Sequence, residues 1–406
     1  MPNIVIAGCG FAGGVMALRS LQLGFAVTLL DVPRPDIGGV EIIPSSARHL
    51  LSELRLDAAL TAVRPGLGTG MLRRFGDGAP EFRDGRALHV DRLALRRAVI
   101  AEAEARGAEI RRLRQLPQPD DDAFASIDAT GRRAAWSRPV TRHGRTLADV
   151  FSAPRLIDCG DALVVGLGRD WAYAAADQAE TTIGVIHSGG LPRPEVERRV
   201  KATFCLGRDV PLTYLGRRPA FPQSAVAPLQ DRVIAIGDAA FSHDPIGGRG
   251  LSFALGSAFA AGAVLRTWRD HPARWQFASA YYEDYVAAEK HQHLAFLSGD
   301  QERGGQPSPV PSQVQWSARE ACAPLALADG IDVADVVLTR AGTPVRWMGR
   351  FDVFEMRALC DRIQSASALI ETLLGRGFTT TEARAILEWA LRNGILRAVE
   401  PTDSAL

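Results

Sequence analysis

The chain has 406 residues, 47% of them hydrophobic and 23% charged, with a formal net charge of +1. That is enough for two or three domains around a large buried core, and a charge so near zero excludes the electrostatic footprint of a nucleic-acid binder or of a protein drawn to anionic membranes. Five cysteines with no Cys-x-x-Cys spacing exclude a disulfide framework and a zinc site in favour of reduced thiols, and no other metal is expected.

Asn3 to Gly8 reads as a short apolar strand, Gly8-Cys9-Gly10-Phe11-Ala12-Gly13 as a glycine turn, Gly14 to Leu23 as a helix, and Phe25 to Leu30 as a second strand ending at Asp31. The chain enters that first strand from Met1-Pro2-Asn3 with no basic segment or small-residue cleavage site, so a cytoplasmic location is expected. Gly8, Gly10 and Gly13 fit the G-x-G-x-x-G pattern in the frame that gives it meaning, strand before and helix after, with an acid about 20 residues on. The first glycine allows the turn, the second the approach of a pyrophosphate, and the third close packing of helix on strand. Asp31 is expected to accept from the ribose hydroxyls of a dinucleotide.

A helix is predicted from Ser45 to Leu54, a break at Gly66 to Gly70, strand-like residues at Met71 to Phe75 and Glu81 to Arg83, and a helix from Leu93 to Arg106. Asp128-Ala129-Thr130-Gly131-Arg132 follows a short strand and forms a second turn suited to a cofactor or to a plain β-turn. From Ala134 to about Gln223 short β-like runs, among them Ala162 to Leu167 and Thr181 to His187, suggest an inserted sheet.

The third turn is the most distinctive. The β-branched run from Val233 ends in Gly237-Asp238, a loop holding His243, Asp244, Pro245, Gly248 and Gly250 follows, and a small-residue helix runs from Leu251 to Leu265, too short to span a bilayer. Free N–H groups at that helix start suit an anion or an electron-rich ring, and Asp238 is placed to accept from sugar or ribityl hydroxyls. Tyr281 to Leu297 reads as another helix. Residues 301–313, with Gly304-Gly305 and three prolines, read as a linker. The remainder, 314–406, reads as a small, mostly helical region in which Thr379 and Glu382 have capping-box spacing.

These three segments, in this order and spacing, resemble those of the single-component FAD-dependent monooxygenases and their relatives, the flavin-dependent tryptophan halogenases, over roughly residues 1–300. The match is most specific at Gly237-Asp238-Ala239-Ala240 and Asp244-Pro245-x-x-Gly248-x-Gly250. The resemblance implies an α/β fold: a Rossmann-like FAD-binding domain of the aromatic-hydroxylase, glutathione-reductase-like type (1–133 and 224–300), an inserted β-rich substrate domain (134–223), and a small helical C-terminal domain. It assigns the ADP half of FAD to Gly8, Gly10, Gly13 and Asp31, with Arg92 and Asp128 near the cofactor. Asp238 takes the ribityl and pyrophosphate region, and Pro245, Gly248, Gly250 and Leu251 take the flavin ring.

Gly39-x-Glu41-x-x-Pro44 and Trp171-Ala172-Tyr173 narrow the resemblance to flavoprotein monooxygenases that hydroxylate a tryptophan of a partner protein during quinone-cofactor biogenesis. That implies NAD(P)H as reductant, O2, a flavin C4a-hydroperoxide as oxidant, His243 or Asp244 as proton acceptor, and Trp171 and Tyr173 as substrate wall. The lysine that halogenases carry in the first third of the chain is missing, since Lys201 and Lys290 are the only lysines. A Trp-x-Trp-x-Ile-Pro segment is also missing, so halogenation is disfavoured. The alternatives left by the sequence are a flavin reductase of the geranylgeranyl-reductase type, a small-aromatic hydroxylase, and a non-catalytic FAD-bound assembly factor.

Overall fold

The computed structural model describes residues 1–399 apart from 34, 36, 76–80, 155, 158–160, 208, 299–310, 328, 349–350 and 364. Two compact units, Met1–Lys290 and His291–Leu406, divide the chain.

In the first unit β1 (Asn3–Ala7), α1 (Phe11–Gln22) and β2 (Ala26–Asp31) form a β-α-β start with parallel strands. They are followed by β3 (Val40–Pro44), α2 (Ser45–Glu53), α3 (Asp57–Ala62), β4 (Gly66–Arg74), β5 (Glu81–Asp91), α4 (Arg92–Ala105), β6 (Glu109–Arg112) and β7 (Ala125–Asp128). Next come β8 (Val140–Arg142), β9 (Leu147–Pro154), β10 (Asp161–Leu167), β11 (Asp170–Ala176), β12 (Glu180–His187), α5 (Arg193–Thr203), β13 (Thr213–Pro219) and β14 (Gln223–Ala225). The unit closes with β15 (Leu229–Gln230), β16 (Val233–Ala235), β17 (Phe241–Ser242), α6 (Gly250–Asp270) and α7 (Trp275–Ser298), the last of which belongs to it as far as Lys290.

One sheet runs β15-β16-β7-β1-β2-β6, and all its neighbours except β15 and β16 pair in parallel. Ile4, Ile6 and Ala7 are fully buried, as a central parallel strand covered on both faces demands. The chain adds β2 on one side of β1 and β7 on the other, so the order reverses at β1. The carboxyl ends of strands at such a reversal are where open α/β sheets bind ligands. Gly8, Asp31, Asp128 and Gly237 all lie at these ends. α1 packs closely on its neighbours because it is lined with small residues: a Cβ on Gly14 would sit 2.7 Å from Val99 Cγ1.

The second sheet runs β13-β9-β12-β11-β10-β4-β5-β3. Its strands come from 40–91 as well as from 147–219, so confining it to an insertion at 134–223 understates it. The glycines that read as a break at 66–70 lie inside β4, where the register shifts between Gly68 and Gly70. Glycine and a bulge erase the alternation that marks a strand. On the sheet's outer face Phe151, Ala172, Ala174, Ile183 and Val185 pack under Val196 and Val200 of α5. On the inner face Ala148, Val150, Val164, Trp171 and Ile186 pack with Tyr173, Leu215 and Ile246.

The apolar stretch expected to stop at Leu265 continues to Asp270. The resulting 21-residue helix is long and apolar enough to cross a membrane, but 67% of its apolar window is buried inside the fold. It is a core helix: Leu255, Ala258, Ala261, Val264 and Leu265 are all fully buried.

The C-terminal unit corrects the expectation of a mostly helical region. It has α8 (Val353–Cys360), α9 (Ala366–Gly375) and α10 (Thr380–Arg392), the last capped reciprocally by Thr379 and Glu382. It also has a hairpin of Arg319–Leu327 with Gly330–Leu338 and a strand pair of Gln313–Trp316 with Leu396–Val399. The Asp329-Gly330 turn between β-branched and alanine-rich runs is a hairpin signal, and Pro324 fits because its strand is an edge of its sheet. Phe351 is buried in this unit's core with Trp316, Met348 and Phe354 against it, whereas Trp347 is 44% exposed. Gln313, taken as the linker's end, is the first residue of a strand. The linker's residues 301–310 lie outside those described.

Candidate active site

The glycines at the sheet's carboxyl ends divide into two kinds. Gly8 has φ +108°, and a Cβ there would lie 2.4 Å from the Ala129 carbonyl oxygen. A Cβ on Gly13 would lie 1.9 Å from the Gly8 oxygen, and one on Gly237 3.0 Å from Ala12 Cβ. These three hold the segments after β1, β7 and β16 against one another. Around a Cβ on Gly10, Gly248 or Gly250 no atom of the described residues lies within 4 Å, its own stretch of chain aside. Those three border open space beside the starts of α1 and α6, neither of which has a side-chain cap. Backbone donors facing such space make the cradle that FAD needs at its phosphates and at its ring, so these residues fit the cofactor.

Asp31, at the end of β2, is near enough to Cys9 that burial and its charge together push the Cys9 thiol up to about 12. The acid therefore lies near the glycine turn. Asp238 is half-buried beside Gly237, whose N–H donates to Ser257 Oγ at 2.9 Å.

Two of the assigned residues have partners within the chain. Asp128 is fully buried, and its carboxylate accepts from Thr130 N, Thr130 Oγ1 and Trp136 N at 2.7–3.0 Å. Those bonds shape the 129–136 loop, and with the side chain fully buried Asp128 acts through that loop. Arg92 pairs with Glu41 at 3.1 Å. Arg96, one helical turn on, is the residue that donates to the Cys9 carbonyl at 2.8 Å. The i, i+4 repeat puts both on one face of α4, and a motif centred on Val-Asp-Arg points to the first only.

His243 is 5% exposed, lies edge-on to Phe241 and Phe253, and its Nε2 is 2.7 Å from Glu289 Oε1. Burial pushes the Glu289 carboxyl up, but hydrogen bonds from His243 and Arg249 outweigh it and hold the group below its ordinary range. A carboxylate only accepts, so Nε2 carries a proton, and in the neutral ring Nδ1 is the nitrogen able to take another. Arg249, the residue before α6, donates through Nε and Nη2 to the two Glu289 oxygens, each at 2.9 Å. Glu289, on α7, was invisible in the sequence because 40 and 46 residues separate it from the two groups it joins.

Asp244 caps the turn Pro245–Gly247 by accepting from Ile246 N at 2.9 Å, after which Gly248 turns left-handed at φ +58° and Leu251 enters the first turn of α6. Burial raises its carboxyl pKa from 3.8 to about 6. With a folded value above the unfolded one, the protonated form favours folding, so stability falls as pH rises from about 4 to about 6, by on the order of 3 kcal/mol. Asp244→Asn is expected to flatten that slope and stabilise the protein above pH 7, which thermal unfolding across pH 4–8 would check.

The wall opposite is the inner face of the second sheet. Trp171 and Tyr173 have ring centroids 6.0 Å apart, and Ile246 from the 245–250 turn packs into the same cluster. Tyr173 lies across Gly184, where a Cβ would be 2.1 Å from its ring. An apolar cavity of about 270 Å³, walled by Leu163, Ile183 and Phe204, lies on the outer face instead, with the sheet between it and the glycine turns.

No family model matches the sequence, and no curated protein is significantly similar to it. Solved structures do match. A peptidyl tryptophan dihydroxylase, QhpG, essential for tryptophylquinone cofactor biogenesis, superposes with a TM-score of 0.65 at 20% identity over 97% of this chain and 99% of its own. The flavin-dependent halogenase CmlS gives 0.69 at 14% over 97% and 95%, and the myxobacterial chondrochloren halogenase CndH 0.65 at 16% over 73% and 81%. The fold is that of the flavin-dependent halogenases and their hydroxylase relatives. Coverage of 97% takes in the C-terminal unit, so QhpG and CmlS share more than the two-sheet unit.

Proposed function

We propose that the chain is a FAD-dependent monooxygenase that hydroxylates an electron-rich aromatic ring, a tryptophan side chain in a peptide or protein partner. The observation that carries this is the packing of Ile246, from the turn leading to Gly248 and Gly250, into the inner-face cluster of Trp171 and Tyr173. Likeness to QhpG along the whole chain supports a polypeptide substrate. Lys201 lies on α5, the helix covering the sheet's outer face, so it stands apart from this wall, which favours hydroxylation over halogenation.

When bound and reduced, FAD supplies one oxygen atom of O2 in electrophilic form, with NAD(P)H as the proposed reductant. Gly10, on a turn that Gly8 and Gly13 shape, would with Asp31 hold the ADP half, Asp238 would hold the ribityl chain, and N–H groups of Gly248 to Leu251 would stabilise negative charge on the ring's pyrimidine edge. Asp244, ionised above about pH 6, and His243, whose Nε2 donates to Glu289 and whose Nδ1 is the accepting nitrogen, are the groups proposed to take the proton the arene loses. Gly250→Leu is expected to leave flavin bound through its ADP half while hydroxylation fails. Unchanged product yield would move the ring elsewhere.

The C-terminal unit is proposed to engage the partner. Truncation before Gln313, in protein that stays soluble, should keep FAD binding and abolish modification of the partner but not of free small aromatics. The reading as a whole is tested by NAD(P)H-driven oxygen uptake with tryptophan peptides, with mass spectrometry for oxygen added to the peptide. Protein that binds flavin, consumes reductant and never oxygenates an aromatic ring would favour a reductase, and protein that binds flavin without turning over would favour an assembly factor.

A further inference from the structure

Consecutive arginines on β13 face opposite sides of the sheet, as alternation requires, just after the register shift between Tyr214 and Gly216. Arg217 turns outward. It donates to both oxygens of Asp149 at 2.8–2.9 Å, and that fully buried acid also receives Tyr214 OH at 2.7 Å and pairs with His187 at 2.8 Å. Arg218 pairs across the strand with Ala148 of the inner face and donates through Nη2 to Tyr173 OH at 3.2 Å. Among the described residues no carboxylate lies within ion-pair distance of it.

The surroundings of Arg218 carry more positive charge. Arg132 donates to the carbonyls of Phe221 and His243 at 2.7 and 3.0 Å, which places it directly before the Pro245 turn. Burial, and behind it the nearby Arg218, lower its pKa against the pull of Asp238 and Asp244. Both acids lie near enough to Arg132 to act on its charge. Among the described residues, half-buried Arg218 has the neutral Tyr173 hydroxyl as its side-chain partner, although a guanidinium has five N–H donors. Partial desolvation of a cation costs free energy unless an anion arrives, and bulges near functional sites re-aim side chains.

We propose that Arg218, steadied by Tyr173, receives a carboxylate of the substrate, so that the ring to be oxidised is presented on a molecule with an acidic group beside it. The acid is either an Asp or Glu neighbouring the target tryptophan in a polypeptide or the carboxylate of a free arylalkanoic acid. This rests on the monooxygenase reading and names its substrate class.

The test uses full-length, FAD-loaded protein and equilibrium binding by calorimetry. Probes are indole-3-propionate against indole-3-propionamide, and the tetrapeptide Ala-Glu-Trp-Ala, blocked at both ends, against its Gln counterpart. Wild-type protein is expected to bind one acid about tenfold or more tightly than its amide, as a charge-assisted hydrogen bond warrants; which acid does so identifies the source. Arg218→Gln should abolish the preference and leave amide affinity and flavin content unchanged, while Arg218→Lys should restore part of it. No preference in wild type, a preference that survives Arg218→Gln, or loss of flavin from that variant would each overturn the proposal, the last by giving Arg218 to the cofactor. If the purified protein takes up no flavin, the monooxygenase reading fails, and the same acid-against-amide comparison on flavin-free protein still decides this one.

Discussion

Gly10→Val is expected to purify folded and colourless. Gly10 is the residue before α1, at φ −81° and ψ −175°, which any residue adopts, and no atom of the described residues beyond its own stretch of chain lies within 4 Å of its missing Cβ. The fold therefore loses little, under about 1 kcal/mol for an altered helix cap, while two methyl groups enter the space through which a pyrophosphate must reach bare backbone. FAD affinity should fall at least about 100-fold. Gly13→Val makes the contrast: its Cβ would start 1.9 Å from the Gly8 carbonyl oxygen, so the turn itself must move, and the expected loss is several kcal/mol of stability. Absorbance near 450 nm per chain, read with thermal unfolding, separates the two effects. Gly10→Val protein with a full complement of flavin would remove the dinucleotide turn from the site.

Features written in neighbouring residues were the ones legible beforehand. Gly8, Gly10 and Gly13 carry their meaning in spacing, and the Gly237 and Gly248 turns in their glycines, because left-handed backbone and close approach both demand that residue. In the first turn the spacing also told the packing glycines, Gly8 and Gly13, from Gly10. In the third turn it could not, because the packing role of Gly237 depends on Ala12, far along the chain. Sheet membership was lost for the same reason: β3, β4 and β5 join strands from 147–219, and no local signal names a partner. The C-terminal strands were overlooked because alanine and proline in 319–328 weaken the β-branched signature. Asp128 was ambiguous because a strand-end acid followed by Thr and Gly has the same pattern whether it binds a ligand or its own loop.

Glu289→Ala should separate flavin retention from productive use of oxygen. The carboxylate, 14% exposed, joins His243 and Arg249 at the two ends of the 243–249 segment. Arg249, 43% exposed, can return to water at small cost, but buried His243 loses its acceptor, so the expected destabilisation is about 2–3 kcal/mol. Glu289→Gln keeps an acceptor for His243 and should cost about 1 kcal/mol. Because the folded pKa of Glu289 is depressed, its contribution is complete above the ordinary carboxylate range and is lost as pH falls through the folded value; the Gln variant should lack that acid-side decline. With the ADP cradle untouched, both variants should hold FAD. In the Ala variant the turn that bears Gly248 and Gly250 is no longer pinned, water gains access beside the ring, and NAD(P)H consumption should yield hydrogen peroxide in place of hydroxylated peptide. The ratio of product to NAD(P)H consumed is the deciding measurement: at least a tenfold fall in the Ala variant, about half recovered in the Gln variant, is expected of a clamp that positions the turn. A ratio equal to that of the wild type at the same temperature below unfolding would reduce Glu289 to a stabilising contact with no part in guiding the oxygen.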